Sequence, residues 1–156
     1  MSNKNFILDV DGVMTDGRIY WGPNGKLFKA FGNYDHDGLK ILKDHVNIQF
    51  ITADRAGWDI TYNRITTHMG YKLSLVPERT RYDFVSSFGF NDTIFMGDGP
   101  YDAKIIFDAF IGIAPAQAWN TAVAAADYVT PRPGGEGAVM DACVYVMNRL
   151  GIPHIF

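Results

Sequence analysis

The chain has one cysteine, no run of some 18 apolar residues, and no surplus of positive charge. A lone cysteine excludes an internal disulfide framework and any cysteine-rich zinc site, and suits a reducing compartment. Without a long apolar run nothing reads as a transmembrane helix. Fourteen Lys and Arg stand against 17 Asp and Glu, a net charge of −3, so there is no electrostatic case for nucleic acid or an anionic membrane. The four histidines show no zinc spacing. No low-complexity tract, internal repeat or linker interrupts the chain, and 47% hydrophobic against 20% charged residues is a globular balance. The first apolar run, Phe6–Val10, is too short and too quickly acidic for a secretion signal, so the expected location is the cytoplasm. At 156 residues the expected organisation is a single domain over 1–156.

The hydrophobic pattern alternates between short apolar runs and helical periods. Phe6–Val10, Val46–Thr52, Tyr71–Val76, Thr93–Met96 and Phe110–Ile113 read as buried strands, and Tyr128–Thr130 as a brief extended piece. Helices are expected over Gly38–Lys43, Gly57–Met69, from Pro77 to Gly89, Asp102–Phe107, Trp119–Ala125 and Ala138–Leu150. Arg18–Trp21 and Leu27–Phe31 flank Asn24-Gly25, a hairpin signal, giving an arm at about 18–31. Strands alternating with helices predict an α/β, doubly wound, Rossmann-like, mostly parallel sheet with helices on both faces, a β-hairpin arm after the first strand and no cap domain.

In such sheets ligands bind beyond the carboxyl ends of the strands. Asp9 and Asp11 stand at the end of the first strand, Thr52 at the end of the second, and Asp98 and Asp102 just past the fourth. Several carboxylates in one crevice stay ionised together only with a cation among them, and an all-oxygen donor set selects Mg2+ over zinc. An acidic pocket holding magnesium suits a phosphate ligand. Of two aspartates two apart, one can attack phosphorus while the other handles the leaving-group proton. Thr52 and a cation, Arg79 or Arg81, can hold phosphoryl oxygens. Rival explanations exist for each residue. Asp98 and Asp102 are also placed to cap a helix, and Gly134, Gly135 and Gly137 to permit a turn before the last helix. An EF-hand is excluded, because the glycine follows Asp9 by three residues and no glutamate closes the loop.

The segment Asp9-Val-Asp-Gly-Val-Met-Thr-Asp-Gly resembles the first motif of the haloacid dehalogenase superfamily. Thr52 after Gln49-Phe-Ile resembles its second motif, and Gly97-Asp-Gly-Pro-Tyr-Asp its fourth. Thr15-Asp16-Gly17, the hairpin, Asp37-Gly38-Leu39 and Gly134-Gly-Glu-Gly-Ala-Val further resemble its capless subfamily, typified by 3-deoxy-D-manno-octulosonate 8-phosphate phosphatase. The resemblance implies a magnesium-dependent phosphatase acting on a sugar or 3-deoxy sugar acid phosphate of octulosonate or nonulosonate type. Asp9 would be nucleophile and metal ligand, and Asp11 acid and base with its backbone carbonyl on the metal. Asp98 would complete the metal site with Asp102 beside it, while Thr52 and Ala53 bind phosphate. It also implies a homotetramer built through the hairpin arms.

Four positions depart from the subfamily pattern. An arginine, Arg81 or Arg79, stands where the third motif has lysine. Asp54 replaces the arginine of Thr-Gly-Arg, Gly99 replaces the second acid of Gly-Asp-Asp, and Glu136 replaces the arginine of Gly-Gly-Arg-Gly. Asp54, Glu136, Arg55 and His36, which precedes Asp37-Gly38 near the expected crevice, are the candidate substrate-binding positions, with Arg55 and Arg132 available to restore positive charge. The alternative reading is a catalytically impaired relative that binds or scaffolds. A phosphorylated receiver domain is a weaker rival, since its acceptor aspartate belongs on a later strand.

Overall fold

The computed structural model describes residues 3–156. The elements run β1 (Asn5–Asp9), β2 (Tyr20–Gly22), β3 (Gly25–Phe28), α1 (Asp35–Leu42), β4 (Asn47–Thr52), α2 (Trp58–Tyr62) and β5 (Lys72–Leu75). They continue α3 (Glu78–Ser86), β6 (Thr93–Met96), α4 (Ala103–Asp108), β7 (Ile111–Ala114), α5 (Asn120–Ala125), β8 (Tyr128–Val129) and α6 (Ala138–Leu150).

Phe6, Ile7 and Leu8 of β1 are fully buried on both faces of the strand, the environment of a central parallel strand. β1 indeed pairs in parallel with β4 on one side and β6 on the other. The six-stranded sheet has the order β5-β4-β1-β6-β7-β8, parallel throughout. Alternate side chains feed two cores. Phe6, Leu8 and Phe50 pack against α1 and α6, with Val139, Cys143, Val146 and Met147 of α6. Ile7, Ile51 and Phe95 face the layer of α3, α4 and α5, with Val85, Ile105 and Ala122. Each large apolar side chain so buried contributes roughly 1.5–3 kcal/mol, so the strand that ends in Asp9 is among the most firmly held parts of the molecule.

The doubly wound α/β fold matches the expectation, and no cap domain is present among the described residues. Local differences have tertiary causes. α1 starts three residues earlier than its apolar spacing predicts, because Asp35 is drawn inside to accept the Met140 N–H at the start of α6 (3.1 Å). The helix expected over 57–69 is α2 followed by a wider-wound segment, Asn63–His68, stopped at Gly70, whose φ of +81° suits a residue without Cβ. The hairpin β2–β3 is shorter than expected and forms its own two-stranded sheet, with a register break between Tyr20 and Trp21 and one further bridge, Thr15 to Phe31. Among the described residues no helix is long and apolar enough to cross a membrane.

Strand order decides where the chemistry lies. From β1 the chain winds outward through β4 and β5, then returns to β6 and winds the other way. The reversal falls between β1 and β6, and their carboxyl ends open a crevice there.

Candidate active site

That crevice, about 490 Å³ in volume, is lined among others by Asp9, Asp11, Ala53, Asp54, Arg55, Arg81, Asp98 and Asp102. Beyond β1 the backbone doubles back at once, and the Val10 carbonyl accepts from the N–H groups of Met14 (2.8 Å) and Val13 (3.2 Å). Thr15 Oγ1 ties the loop by accepting from Gly12 N (3.1 Å) and Gly17 N (3.2 Å). Gly12 has φ +79°, and a Cβ there would run into the Asp98 carboxylate, so the loop can reach β6 only with glycine. Gln117 fastens the far side: its Nε2 donates to the Gly12 carbonyl (2.6 Å) and its Oε1 accepts from Gly134 N (2.8 Å). A Cβ on Gly134 would collide with the carbonyls of Gly12 and Thr15. Gly134 thus does more than permit a turn; it lets one loop lie on the other.

Arg81, on α3, is 4% exposed, whereas Arg79 is exposed; of the two candidates only Arg81 enters the site. Its Nη1 donates to Asp9 Oδ2 (3.0 Å) and to Asp102 Oδ1 (2.6 Å). Asp102 is fully buried, and its other oxygen accepts from the N–H groups of Asp98 (3.1 Å) and Gly99 (3.0 Å). Asp102 does not cap α4 with its side chain, although it stands at the cap position. Its carboxylate folds back over the loop after β6 and holds Arg81.

Electrostatics follow from this packing. Burial raises Asp9 well above the usual carboxylate range; Arg81 works against the rise, and Asp102 and Asp98 add to it. Burial, with Asp102 beside it, pushes Asp98 up to about 7. Burial alone would lower Arg81, but Asp9 and Asp102 outweigh it and hold the guanidinium above its ordinary value. Oxygens of Asp9, Asp98 and Asp102 lie within 4.8 Å of one another. Among the described residues no side-chain donor reaches the Asp98 carboxylate. A hard divalent cation fits this set: the donors are all oxygens, and burial opposes the charge of both Asp9 and Asp98.

Thr52, at the end of β4, is fully buried; its Oγ1 accepts from Asp54 N (3.1 Å) and lies 3.4 Å from Asp11 Oδ2. Asp54 and Arg55 line the crevice. His36 and Glu136 do not. The His36 ring meets Tyr71 edge-on at 5.9 Å, because α1 turns it toward the start of β5. Glu136 lines a separate hollow with Tyr34, Arg132 and Phe156, since its loop runs along the outer side of α6. Arg132 is paired with Asp141 and restores no charge to the crevice.

Two residues went unanticipated. Lys26 and Lys29 of the hairpin arm reach back into the crevice. Lys26 Nζ lies 2.5 Å and Lys29 Nζ 2.7 Å from Asp54 Oδ2. Burial disfavours the Asp54 charge, yet the two lysines and the Gly57 N–H bring it down to about 2. Only the docking of the arm brings these lysines to Asp54.

The fold and site resemble known proteins. No protein-family model matches the chain. It is 31% identical over 164 residues to the 3-deoxy-D-manno-octulosonate 8-phosphate phosphatase of Salmonella typhi, covering 93% of this chain and 79% of that one. The chain belongs to the haloacid dehalogenase superfamily. Within the superfamily its kin are these phosphatases, and its class is that of phosphomonoester hydrolases. The cobalt-bound octulosonate 8-phosphate phosphatase of Haemophilus influenzae superposes with a TM-score of 0.81 at 28% identity, over 96% of this chain and 90% of its own. The enzyme of Moraxella catarrhalis, in complex with magnesium, phosphate and the sugar acid, superposes at 0.77 and 25% identity, over 94% and 86%. Both of these structures hold a metal ion, and the cluster of Asp9, Asp98 and Asp102 is a set of oxygens that could hold a divalent one.

Proposed function

We propose that the chain is a magnesium-dependent phosphatase for the phosphomonoester of a 3-deoxy sugar acid, of octulosonate or nonulosonate type, working through an aspartyl-phosphate on Asp9. The observation that carries this reading is Asp9 itself: a carboxylate at the switch point of the sheet, 3.0 Å from Arg81 and within 4.8 Å of the Asp98 and Asp102 oxygens. The relatives' substrates, and the Moraxella complex with magnesium, phosphate and sugar acid, support the substrate class.

Asp9, the Asp11 carbonyl and Asp98 would hold Mg2+, which supplies positive charge for phosphoryl oxygens and for the carboxylates themselves. An Asp9 oxygen attacks phosphorus, forming the acyl-phosphate bond as the ester P–O bond breaks. Asp11 gives its proton to the departing sugar oxygen and then takes one from the water that cleaves the acyl phosphate, releasing inorganic phosphate. Thr52, the Ala53 backbone and Arg81 hold the phosphoryl oxygens. The acid at Asp54 does not repel a sugar acid, because Lys26 and Lys29 neutralise it; Arg55 adds a cationic group to the lining of the crevice. On this reading the enzyme is a single domain, a homotetramer assembled through the hairpin arms, and acts in the cytoplasm.

The test is phosphate release from a panel of sugar and sugar-acid monophosphates, with and without magnesium, for the wild type and Asp9→Asn. Magnesium-dependent release that Asp9→Asn abolishes is the expected result. Magnesium binding with no release from any substrate would favour the binding-protein reading.

A further inference from the structure

We propose that Lys29 is the positioning residue for Asp11, fixing both oxygens of the acid–base carboxylate from the hairpin arm. The inference rests on the phosphatase reading and deepens it. Lys29 Nζ lies 2.8 Å from Asp11 Oδ1 and 3.1 Å from Asp11 Oδ2, so it straddles the carboxylate. It also lies 2.7 Å from Asp54 Oδ2 and donates to Thr61 Oγ1 at 2.8 Å. Its side chain is 2% exposed, whereas that of Asp11 is 39% exposed.

The asymmetry is informative. Asp11 stands on a loop at the edge of the crevice, and a carboxylate there can turn between rotamers within hydrogen-bonding reach of water. Its remaining side-chain neighbour, the Thr52 hydroxyl, is 3.4 Å away, too far to hold it alone. The ammonium is the rigid partner, enclosed by Asp54 and by Thr61 of α2. Taking an ammonium out of water is expensive, and for stability alone an apolar side chain of similar volume commonly serves as well. What the ammonium does, and an apolar group could not, is define where the Asp11 oxygens stand. General acid–base transfer depends on such placement. Lys29 lies between β3 and the Thr15–Phe31 bridge, so the arm that carries the exposed apolar face also sets the geometry of Asp11.

A proton donor matters most when the leaving oxygen is basic, which supplies the test. The probes are ring-substituted phenyl phosphates spanning a range of leaving-group basicity, with kcat/KM measured in saturating magnesium. The proteins are the wild type, Lys29→Met, Lys29→Arg and Asp11→Asn, each checked for cooperative unfolding. In Lys29→Met, kcat/KM is expected to fall at least about tenfold further for phenyl phosphate than for 4-nitrophenyl phosphate. That steeper dependence should approach the one in Asp11→Asn, and Lys29→Arg should recover part of the difference. An equal fall for every probe, or an unchanged dependence, overturns the role and leaves Lys29 a structural ion pair. Should Lys29→Met not fold, Lys29→Arg and Thr61→Val decide on the same slope. A wild type that hydrolyses none of the probes or sugar phosphates sinks the phosphatase reading, and this role with it. An active wild type with an unmoved slope overturns only the role of Lys29.

Discussion

Arg81 Nη1 and Asp9 Oδ2 lie 3.0 Å apart, with both side chains less than a tenth exposed. The same nitrogen holds Asp102, so one guanidinium balances two buried acids. Replacing it with methionine strands both acids, and breaking a buried pair costs about 3–5 kcal/mol. Arg81→Met is therefore expected to lower the denaturation free energy by that order and to abolish phosphate release. Arg81→Lys keeps the charge but loses the planar fork, so it should lose less stability and retain measurable turnover. Urea unfolding beside a phosphate-release assay distinguishes the two. A stable, active Arg81→Met would mean that the acids need no cation from the protein.

Asp98 makes a prediction about pH. Burial and the neighbouring Asp102 push its carboxyl up to about 7 in the folded protein, against roughly 3.9 in an unfolded chain. Between those values the native state keeps a proton that the unfolded state has released. The metal-free protein should therefore lose stability as pH rises from about 4 to about 7, with the loss complete above that. A cation that binds the ionised form reverses the trend, so magnesium should raise Tm more at pH 8 than at pH 5. Asp98→Asn should lessen the slope of the metal-free profile, Asp9 keeping its own share, and remove most of the magnesium shift. Differential scanning fluorimetry with chelator or magnesium measures both, and an equal magnesium shift at the two pH values would contradict the argument.

The convergence of Asp9, Asp11, Thr52 and Asp98 was legible in the sequence because each ends, or directly follows, an apolar run, and parallel strands present those ends together. The expected helices on both faces are matched by two cores, with Ile7 and Leu8 facing opposite layers. Lys26 and Lys29 were not legible as site residues. Nothing local says which way a hairpin arm folds, and only its docking brings Lys29 to Asp11. Arg79 and Arg81 could not be separated by type; the register of α3, fixed by burial of Val85, turns Arg81 inward. His36 was misplaced for a similar reason, since its nearness to Asp37-Gly38 in the chain says nothing of the direction in which α1 points it.

The cluster around Asp54 answers to acid. Burial opposes its charge, but the two lysines bring it down to about 2, so its stabilising contribution is present above the unfolded value and lost as pH falls through that window. Asp54→Asn leaves Lys29 paired with Asp11 alone. With the group partly exposed and screened, the expected loss at pH 7 is on the order of 1 kcal/mol, disappearing as pH approaches about 2. Unfolding midpoints at successively lower pH check this. A difference that grows on acidification would place the lysines' stabilising partner elsewhere.

The hairpin arm exposes Ile19 (63%), Trp21 (65%), Leu27 (58%) and Phe28 (53%), while Tyr20 stacks on Phe28 at 4.5 Å. An isolated two-stranded hairpin is marginal in water, and an apolar patch of this kind on a monomer marks an interaction surface. On the tetramer reading the patch is covered by the arms of other copies. Trp21→Glu places a charge in that face, opposite Lys26 in the hairpin register. Sedimentation should give a tetramer for the wild type and smaller species for Trp21→Glu. Because Lys29 lies on the same arm, loosening the arm should also lower turnover, and to a greater degree in dilute solution than in concentrated. A wild-type monomer would leave the apolar arm without a cover and remove the link between assembly and Asp11.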